Sequence, residues 1–365
     1  MQPQTKILKN EEKKFKKVKT NMKIAIITET YYPKSTGGGQ KHTHELIKNL
    51  KLKGHTTTIF NRTDNKPFNH VPSKIIWIIK TFWECWNDEH DIYHAQTPLS
   101  AIPIKIVQIF LNKPIIITVH GTSINTKLNT PFKEWLETKI LTHWKYDKQI
   151  TVSQEFKDYF NNNTPIFIPN GININEFKGT KPKPKDYTKI LFVGRIHKQK
   201  NLKQLIGQLI KYSNRNDNIQ LHIIGEGEER EELQKYVNEQ YLQHIIKFKG
   251  HLTGQELNNE YSSSHFFILP SIYEGQPLTI MEAFANKLPI IATDTGDNKI
   301  YVNENTGILV TDYNFKEAIT KMLSLKNKWK SMGQNGYELI KEMTWKEMTN
   351  KTIKVYEKVI KENDN

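Results

Sequence analysis

Residues 267–294, FILPSIYEGQPLTIMEAFANKLPIIATD, contain a complete strand, loop, helix and strand pattern. An apolar run ends at Pro270, and a polar turn leads to Pro277, a residue favoured at the first position of a helix because it has no N–H to lose. Two carboxylates, Glu274 in the loop and Glu282 in the helix, lie eight positions apart. The unpaired N–H groups of the first helical turn would lie between them, at a positive helix end that suits a phosphate. We therefore predict one site that holds a diphosphate on amides and hydroxyl-rich groups on two acids.

The rest of the chain alternates short apolar segments with helical segments, and it does so in two series. Its 365 residues are enough for about two domains. The stretch KGTKPKPK at residues 178–185 separates the two series and is typical of a solvated linker. We predict an α/β fold with two Rossmann-like, doubly wound parallel-sheet domains that face an interdomain cleft.

The composition shifts define five segments. We predict a disordered basic tail at 1–21, an N-terminal acceptor-side domain at 22–178, a linker at 179–186, a C-terminal donor-side domain at 187–344 and a C-terminal helix at 345–365 that packs back on the N-terminal domain. The region after residue 315 is mostly helical in pattern, and we expect its helices to be broken at Gly333 and Gly336.

Two motifs of the first series follow predicted strands. The glycine run at residues 37–39 allows a close backbone approach to a ligand, but it lacks both the Lys-Ser/Thr of a Walker loop and the spacing of a dinucleotide fingerprint. His120 directly follows a buried strand, and ligands of parallel sheets collect outside the carboxyl ends of the strands. This position favours a role for His120, although a lone histidine is more often structural.

Composition excludes several classes of protein. The single cysteine, Cys85, excludes a disulfide framework and any cysteine-based zinc site. No stretch of about 18 apolar residues is present, and the lysine-rich start lacks the apolar region of a signal peptide. We therefore expect a soluble cytoplasmic protein.

The net charge of +15 is unevenly distributed. Residues 1–178 contain 26 Lys and Arg against 15 Asp and Glu, a net charge of +11, which leaves +4 for the second half. Either lysine is simply the common surface residue here, or this half is attracted to an anionic membrane surface. Nucleic acid is not an expected partner because no recognised nucleic-acid motif accompanies the charge. The segment SKIIWIIKTFWECW at 73–86 is compatible with an interfacial helix at the inner face of the membrane, or with packing against the sheet.

Taken together, these motifs resemble glycosyltransferase family four, the retaining, sugar-nucleotide-dependent enzymes of the GT-B fold. The similarity spans roughly residues 22–358. Its most diagnostic motif is the Glu-x7-Glu pair within PSIYEGQPLTIMEAFA. Further motifs occur in the family's order: the Gly38-Gly39 loop, His120-Gly121, ITVS (150–153), IPNGIN (168–173), FVGRIHKQKN (192–201), IIGEGEE (223–229) and FKGHLTGQEL (248–257).

The resemblance implies a role for each matching residue. Arg195 and Lys200 would hold the donor diphosphate, whose departure develops negative charge that fixed cations stabilise. Glu282 would accept from the ribose hydroxyls, while Glu274 and His120 would contact the transferred sugar near the reacting centre. With Arg195 and Lys200, Glu274 and His120 make up the implied catalytic set. The other implied donor contacts come from Gly38, Gly39, Leu252, Gly275, Pro277, Leu278 and Thr279, and neither a metal nor another cofactor is implied.

Two positions depart from the family pattern. Lys41 stands where an acid often follows the glycine pair, and residues 295–297 (Thr-Gly-Asp) replace the more usual Gly-Gly. Both loops are expected to face the cleft, so the preference for donor sugar or acceptor is expected to be affected.

The function that the resemblance implies is a retaining glycosyltransferase of the hexosyltransferase type. It would move a sugar from a nucleoside-diphosphate sugar to a hydroxyl of a glycan or lipid-linked acceptor in cell-surface glycoconjugate synthesis, by attack on the face that the diphosphate leaves. Two alternatives remain open at this point. One is a sugar-nucleotide epimerase of the same two-domain shape, and the other is a non-catalytic sugar-nucleotide-binding protein.

Overall fold

The computed structural model describes residues 21–31, 37–62, 71–87, 89–121, 131–156, 165–210 and 218–363. Apart from Asn21, the predicted basic tail at 1–21 lies outside the described residues.

The N-terminal domain is built on a six-stranded parallel sheet. Its strands are β1 (Lys23–Thr28), β2 (Thr56–Asn61), β3 (Ile92–Ala95), β4 (Ile115–Val119), β5 (Lys148–Thr151) and β6 (Ile166–Phe167), in the order β2-β1-β3-β4-β5-β6. Four helices connect them: α1 (Gly38–Leu52), α2 (Val71–Asn87), α3 (Ala101–Leu111) and α4 (Pro131–Thr142). The central strands β1 and β4 are mostly apolar and are buried except at Lys23, because helices cover both faces of the sheet.

The C-terminal domain repeats this architecture. Its strands are β7 (Thr188–Val193), β8 (Ile219–Ile224), β9 (Ile246–Gly250), β10 (Phe266–Leu269), β11 (Ile290–Thr293) and β12 (Gly307–Val310), all parallel in the order β12-β11-β10-β7-β8-β9. The connecting helices are α5 (Leu202–Leu209), α6 (Arg230–Glu239), α7 (Gly254–Ser262), α8 (Leu278–Ala285), α9 (Asn298–Tyr301), α10 (Phe315–Ser324), α11 (Trp329–Ile340) and α12 (Trp345–Asn363). The predicted fold class of two doubly wound parallel-sheet domains is confirmed.

The strand orders locate the ligand-binding edge of each sheet. In the C-terminal sheet the order reverses between β7 and β10, and in the N-terminal sheet between β1 and β3. Ligands of open α/β sheets bind outside the carboxyl ends of the strands at such reversals. The loops that follow these four strands are therefore the ones to search.

The predicted strand, loop, helix and strand at residues 267–294 are present as β10, α8 and β11. Pro277 lies one position before the helix rather than at its first position, since its ψ of 102° is extended. Asn286 follows the last helical residue, as the pattern predicts.

The predicted helix breaks at Gly333 and Gly336 are wrong, because α11 runs through both residues. A Cβ on Gly336 would lie 2.0 Å from the Phe284 ring, and one on Gly333 would lie 1.9 Å from the Lys287 carbonyl oxygen. The glycines therefore allow α11 to pack closely on α8, and this packing offsets their low helix propensity, which costs about 1 kcal/mol each.

The last helix, α12, packs on the N-terminal domain. Its buried Trp345 and Tyr356 share one hydrophobic core with Ile24 and Leu46. At the crossing point a Cβ on Gly171 would lie 2.2 Å from the backbone nitrogen of Trp345, so the two crossing segments are in direct contact. The chain passes between the domains twice, near Gly171 and near Trp345, and these two segments are packed against each other.

Helix α2 has one face that packs against the sheet and one exposed face, and the interfacial helix at the membrane stays a prediction. Trp77 packs in the core, whereas Ile75, Ile76 and Trp83 are more than half exposed. Among the described helices, none is both long and apolar enough to span a bilayer.

Candidate active site

The loops after β7 and β10 meet at the reversal of the C-terminal sheet. The backbone N–H of Ile272 donates to the carbonyl of Gln199 at 2.8 Å, and the Gln199 side chain donates back to the carbonyl of Tyr273, also at 2.8 Å. This contact brings Lys200 to Glu274, and the two side chains form an ion pair. The two loops thus bring together an ion pair between residues that are 74 positions apart in the chain.

Glu274 is held in place by more than the lysine. The Ser271 hydroxyl donates to the same carboxylate oxygen at 2.6 Å, and the residue is only 7% exposed. The backbone around it is tight, since a Cβ on Gly296, whose φ is +53°, would lie 1.7 Å from the Glu274 carbonyl oxygen. This carboxylate is a fixed acceptor at the edge of the cleft.

Arg195 lies in the same loop but does not join this pair. It follows Gly194 directly after β7, and its side chain is exposed. No described carboxylate forms an ion pair with it. The residue is thus at the predicted edge of the sheet, with its guanidinium group in solvent.

Glu282 lies in the second turn of α8, and two side chains bind it. The Tyr261 hydroxyl donates to Oε2 at 2.9 Å, and Lys41 Nζ lies 3.2 Å from Oε1. Burial and the adjacent charge of Glu282 raise the pKa of Tyr261 well above its ordinary value, so the hydroxyl stays protonated and donates. Lys41 belongs to α1 in the opposite domain, and this contact crosses the cleft.

The glycine pair begins α1 and faces both sides of the site. A Cβ on Gly38 would lie 3.6 Å from Leu278 Cδ1 of the C-terminal domain, and one on Gly39 would lie 3.3 Å from His120 Cγ. Leu278 and Thr279 form the first turn of α8, where the helix dipole is positive. A side chain at position 38 would make an ordinary contact with Leu278, whereas one at position 39 would press on the His120 ring, so Gly39 is the glycine that allows the close approach.

His120 lies at the end of β4 and is neutral. Its Nε2 is 3.0 Å from Gln96 Oε1, and its ring packs edge-on against His42 with the centroids 4.4 Å apart. Burial, followed by the proximity of His42 and His94, holds the pKa of His120 well below its ordinary value. A Cβ on Gly275 would lie 3.3 Å from the His120 carbonyl, so the residue also approaches the Glu274 loop.

Leu252, which was predicted as a donor contact, lies away from the other predicted site residues. It is half-buried and packs against the core of the C-terminal domain. No hydrogen bond joins its backbone to another described member of the site.

Asp297 and Gln276 are contacts between the domains that sequence reasoning missed. Asp297 accepts from the Ser153 hydroxyl at 2.9 Å and from the N–H of Gln154 at 3.0 Å, and it is 1% exposed. Gln276 accepts from the N–H of Asn170 and donates to the Tyr301 hydroxyl at 2.7 Å. The aspartate in place of a usual glycine was a signal in the sequence, but nothing in the spacing pointed to Gln276.

Lys41 and Tyr261 were also missed as partners of Glu282. Lys41 is three positions after Gly38, which was visible as a departure, but its partner lies 241 positions away. Tyr261 has no sequence signal at all.

Within the described ranges, no group of three or more His, Cys, Asp or Glu side chains is arranged to hold a metal ion. That donor binding needs no metal or cofactor stays a prediction.

Comparison with known proteins covers almost the whole chain. Residues 173–339 match the family model described as glycosyl transferases group 1, and residues 36–176 match the model described as glycosyltransferase family 4. An uncharacterised glycosyltransferase of Methanocaldococcus jannaschii is 24% identical over 386 residues, which cover 92% of this chain and 98% of that protein.

A named enzyme and a solved structure add detail. The UDP-Gal:alpha-D-GlcNAc-diphosphoundecaprenol alpha-1,3-galactosyltransferase of Escherichia coli is 27% identical over 249 residues, which cover 61% of this chain and 63% of that enzyme. The crystal structure of the Anabaena protein HepE in complex with UDP and glucose has a similar fold, with a TM-score of 0.75 at 15% identity over 92% of this chain and 99% of that one.

Proposed function

Because this chain belongs to glycosyltransferase family four, we propose that it is a retaining hexosyltransferase that uses a nucleoside-diphosphate sugar. The acceptor in this proposal is a hydroxyl of a glycan or of a lipid-linked sugar. The E. coli relative, whose name specifies UDP-galactose and a diphosphoundecaprenol-linked acceptor, supports both halves of the proposal. The complex of HepE with UDP and glucose supports the donor class.

The observation that carries the proposal is the Lys200–Glu274 pair beside the start of α8. A cation, a positive helix end and a fixed carboxylate are what a sugar diphosphate requires: the first two for the phosphates, the third for the sugar hydroxyls. In this assignment Lys200 turns from Glu274 to the diphosphate when the donor binds, and exposed Arg195 folds onto the same phosphates. Gly275, Pro277, Leu278 and Thr279 supply the backbone contacts, and Leu252 the contact to the base.

The transfer step then needs little from the protein beyond charge and position. The bond between the anomeric carbon and the diphosphate oxygen breaks, and the acceptor oxygen forms its bond to that carbon on the same face. The acceptor proton moves to the departing phosphate oxygen, so the products are the glycoside and the nucleoside diphosphate. Lys200, Arg195 and the first amides of α8 stabilise the charge that develops on the leaving group.

His120 has a positioning part in this step. Because its pKa is held well below its ordinary value by burial, the ring is neutral at physiological pH and does not serve as a proton donor. A neutral ring next to Gly275 is suited to a hydrogen bond with a hydroxyl of the donor sugar.

We further propose that the enzyme works at the cytoplasmic face of the membrane. Exposed apolar side chains on α2, α3 and α4 support this: Val71, Ile75, Ile76, Ile79, Trp83, Ile109, Phe110, Phe132 and Trp135. The rings of Trp86 and Phe110 contact each other at 5.4 Å and join α2 to α3. Together with the charge of +11 on this half of the sequence, such a surface favours anionic lipid. Failure to bind anionic vesicles at low salt would overturn this part.

The test of transfer is release of nucleoside diphosphate from a panel of sugar nucleotides, with and without acceptor extract. Lys200→Ala and Glu274→Ala should each lower kcat/KM by about 100-fold or more, as loss of a fixed charge at a leaving group does in other enzymes. Lys203→Ala is the matched control, since Lys203 is exposed and pairs with Glu232 away from the site. Unchanged turnover in both site variants would refute the assignment, and an epimerised sugar nucleotide without acceptor would point to the alternative enzyme.

A further inference from the structure

The pair formed by Lys41 and Glu282 joins the two domains across the cleft. Lys41 lies in the first turn of α1, and its Nζ is 3.2 Å from Glu282 Oε1 in α8. Their side chains are 35% and 12% exposed, so the lysine reaches into the cleft from its open side. The pair is partly buried and remains accessible to a ligand.

The surroundings fix the geometry of this pair. Tyr261 holds the other carboxylate oxygen of Glu282 at 2.9 Å, so the carboxylate cannot rotate freely. On the opposite side, the Lys41 ammonium lies 5.8 Å from the centre of the Phe177 ring. Burial opposes the charge of Lys41, but attraction to Glu282 and the hydrogen bond to it raise the pKa of Lys41 above its ordinary value. The lysine is therefore cationic and held in one place.

An ammonium and a carboxylate side by side have complementary hydrogen-bonding capacities. The ammonium only donates, with three N–H groups, and the carboxylate only accepts. A hydroxyl both donates and accepts, so a hydroxyl placed between them satisfies both at once. Two neighbouring hydroxyls, as on a ribose, match the two accessible atoms of the pair.

We propose that Lys41 and Glu282 together bind the ribose hydroxyls of the donor nucleotide, with Lys41 as a nucleoside-recognition residue contributed by the N-terminal domain. This inference rests on the proposed function, and it extends the ribose contact that the family resemblance implies for Glu282 alone. It implies that the N-terminal domain contacts the nucleotide directly and that nucleotide binding draws the two domains together.

The alternatives make different predictions for the effect of removing Lys41. If Lys41 only occupies Glu282 until a ribose hydroxyl displaces it, its loss should tighten binding of the ribonucleotide and raise its affinity ratio to the deoxy form. If it only adds positive charge near the phosphates, its loss should weaken all of them equally. If it contacts a ribose hydroxyl, its loss should weaken binding only where that hydroxyl is present.

The experiment measures binding by calorimetry for UDP and GDP, each with its 2′-deoxy and 3′-deoxy forms. We expect the wild-type protein to bind one of the ribonucleotides at least about tenfold more tightly than one of its deoxy forms, the usual effect of a hydrogen bond to a charged group. In Lys41→Met this ratio should fall to within about twofold of one. Lys41→Arg, which keeps a cationic donor, should retain most of it.

Two further variants serve as controls. Lys51→Met removes an exposed positive charge from the same helix and should leave the ratio unchanged. Glu282→Gln should lower affinity for the ribonucleotide and also reduce the ratio. A ratio that is the same in wild type and Lys41→Met, while Glu282→Gln weakens binding, would overturn this inference and leave the proposed function intact. Absence of binding by any of the diphosphates to the wild-type protein would overturn both.

Discussion

The polar side chains that line the cleft differ between the two domains, with neutral histidines on the N-terminal side and a lysine–carboxylate pair on the C-terminal side. On the N-terminal side, His42 bonds the Asn170 amide oxygen at 2.7 Å and His94 bonds the Tyr356 hydroxyl at 2.6 Å, and burial keeps both rings neutral. On the C-terminal side the buried polar groups include two ion pairs, Lys200–Glu274 at the cleft and Lys189–Glu260 inside the domain.

The net charge of each domain therefore differs from the charge of the cleft wall that the domain forms. The N-terminal half of the sequence carries +11, yet His42, His94 and His120, which line its side of the cleft, are kept neutral by burial. The C-terminal domain carries little net charge but places cations at the reversal of its sheet. The cations of the C-terminal side suit a negatively charged donor, and the neutral side chains of the N-terminal side suit an uncharged sugar or acceptor. Lys41 is the exception, a cation that the N-terminal domain places on the opposite wall.

The largest expected effect comes from breaking the buried ion pair of the C-terminal domain. Lys189 Nζ lies 2.6 Å from Glu260, and His222 lies 3.0 Å from the same oxygen. Burial opposes the charge of Glu260, but hydrogen bonds from His222 and Lys189 lower its pKa to about 2. Glu260→Gln leaves Lys189 without its counter-charge and should reduce the free energy of unfolding by about 3–5 kcal/mol.

Urea denaturation at neutral pH measures this loss. Glu256→Gln, an exposed acid on the same helix, should change stability by less than about 0.5 kcal/mol. Equal stability of the two variants would show that the pair contributes no more than a surface charge.

The neutral histidines of the N-terminal domain should make the protein sensitive to mild acid. Burial lowers the pKa of His42 to about 4 and that of His94 to about 3, against an unfolded value of about 6.5. Between these values the unfolded chain binds more protons than the folded one, so stability falls as pH is lowered from 6.5. At pH 5 each ring should cost about 2 kcal/mol.

Unfolding in urea at pH 7 and pH 5 measures this dependence. His42→Gln should remove about 2 kcal/mol of the difference between the two pH values, while the other buried histidines, such as His120 and His265, keep their share. His143→Gln, at an exposed position directly after α4, should remove none. The C-terminal ion pairs contribute little here, because the low pKa of Glu260 keeps that carboxylate charged at pH 5. A pH dependence that persists undiminished in His42→Gln would contradict the assignment.

The smallest expected effect comes from removing Asp297, whose hydrogen bonds to Ser153 and Gln154 connect the two domains. Asp297→Ala leaves the Ser153 hydroxyl and the Gln154 N–H without their acceptor, and should cost about 1–3 kcal/mol. Loss of this contact should also raise the KM for the donor more than it lowers kcat, because the catalytic groups remain in place. Glu304→Ala, an exposed acid after α9, is the control. An unchanged unfolding free energy and KM in Asp297→Ala would show that the domains are held by their packed crossing segments alone.

Much of the fold was predictable because its signals are local. Runs of isoleucine such as residues 115–117 are buried because helices cover both faces of the sheet. The glycines of α11 were misjudged for the converse reason. Their low helix propensity is local, but the close approach of Phe284 that makes them necessary is not.

The amino-acid sequence by itself determined the two parallel sheets, the loops that carry Lys200, Glu274 and His120, the helix that carries Glu282, and the family to which the chain belongs. These follow from hydrophobic periodicity and from short motifs. Only the tertiary structure decided which side chains meet: Lys200 with Glu274, Lys41 and Tyr261 with Glu282, and Asp297 with the loop after β5. Lys200 meets Glu274 because β7 and β10 are neighbours in one sheet, whereas the contacts of Lys41 and Asp297 depend on how the two sheets face each other. No local pattern encodes a contact between residues as far apart as Lys41 and Glu282.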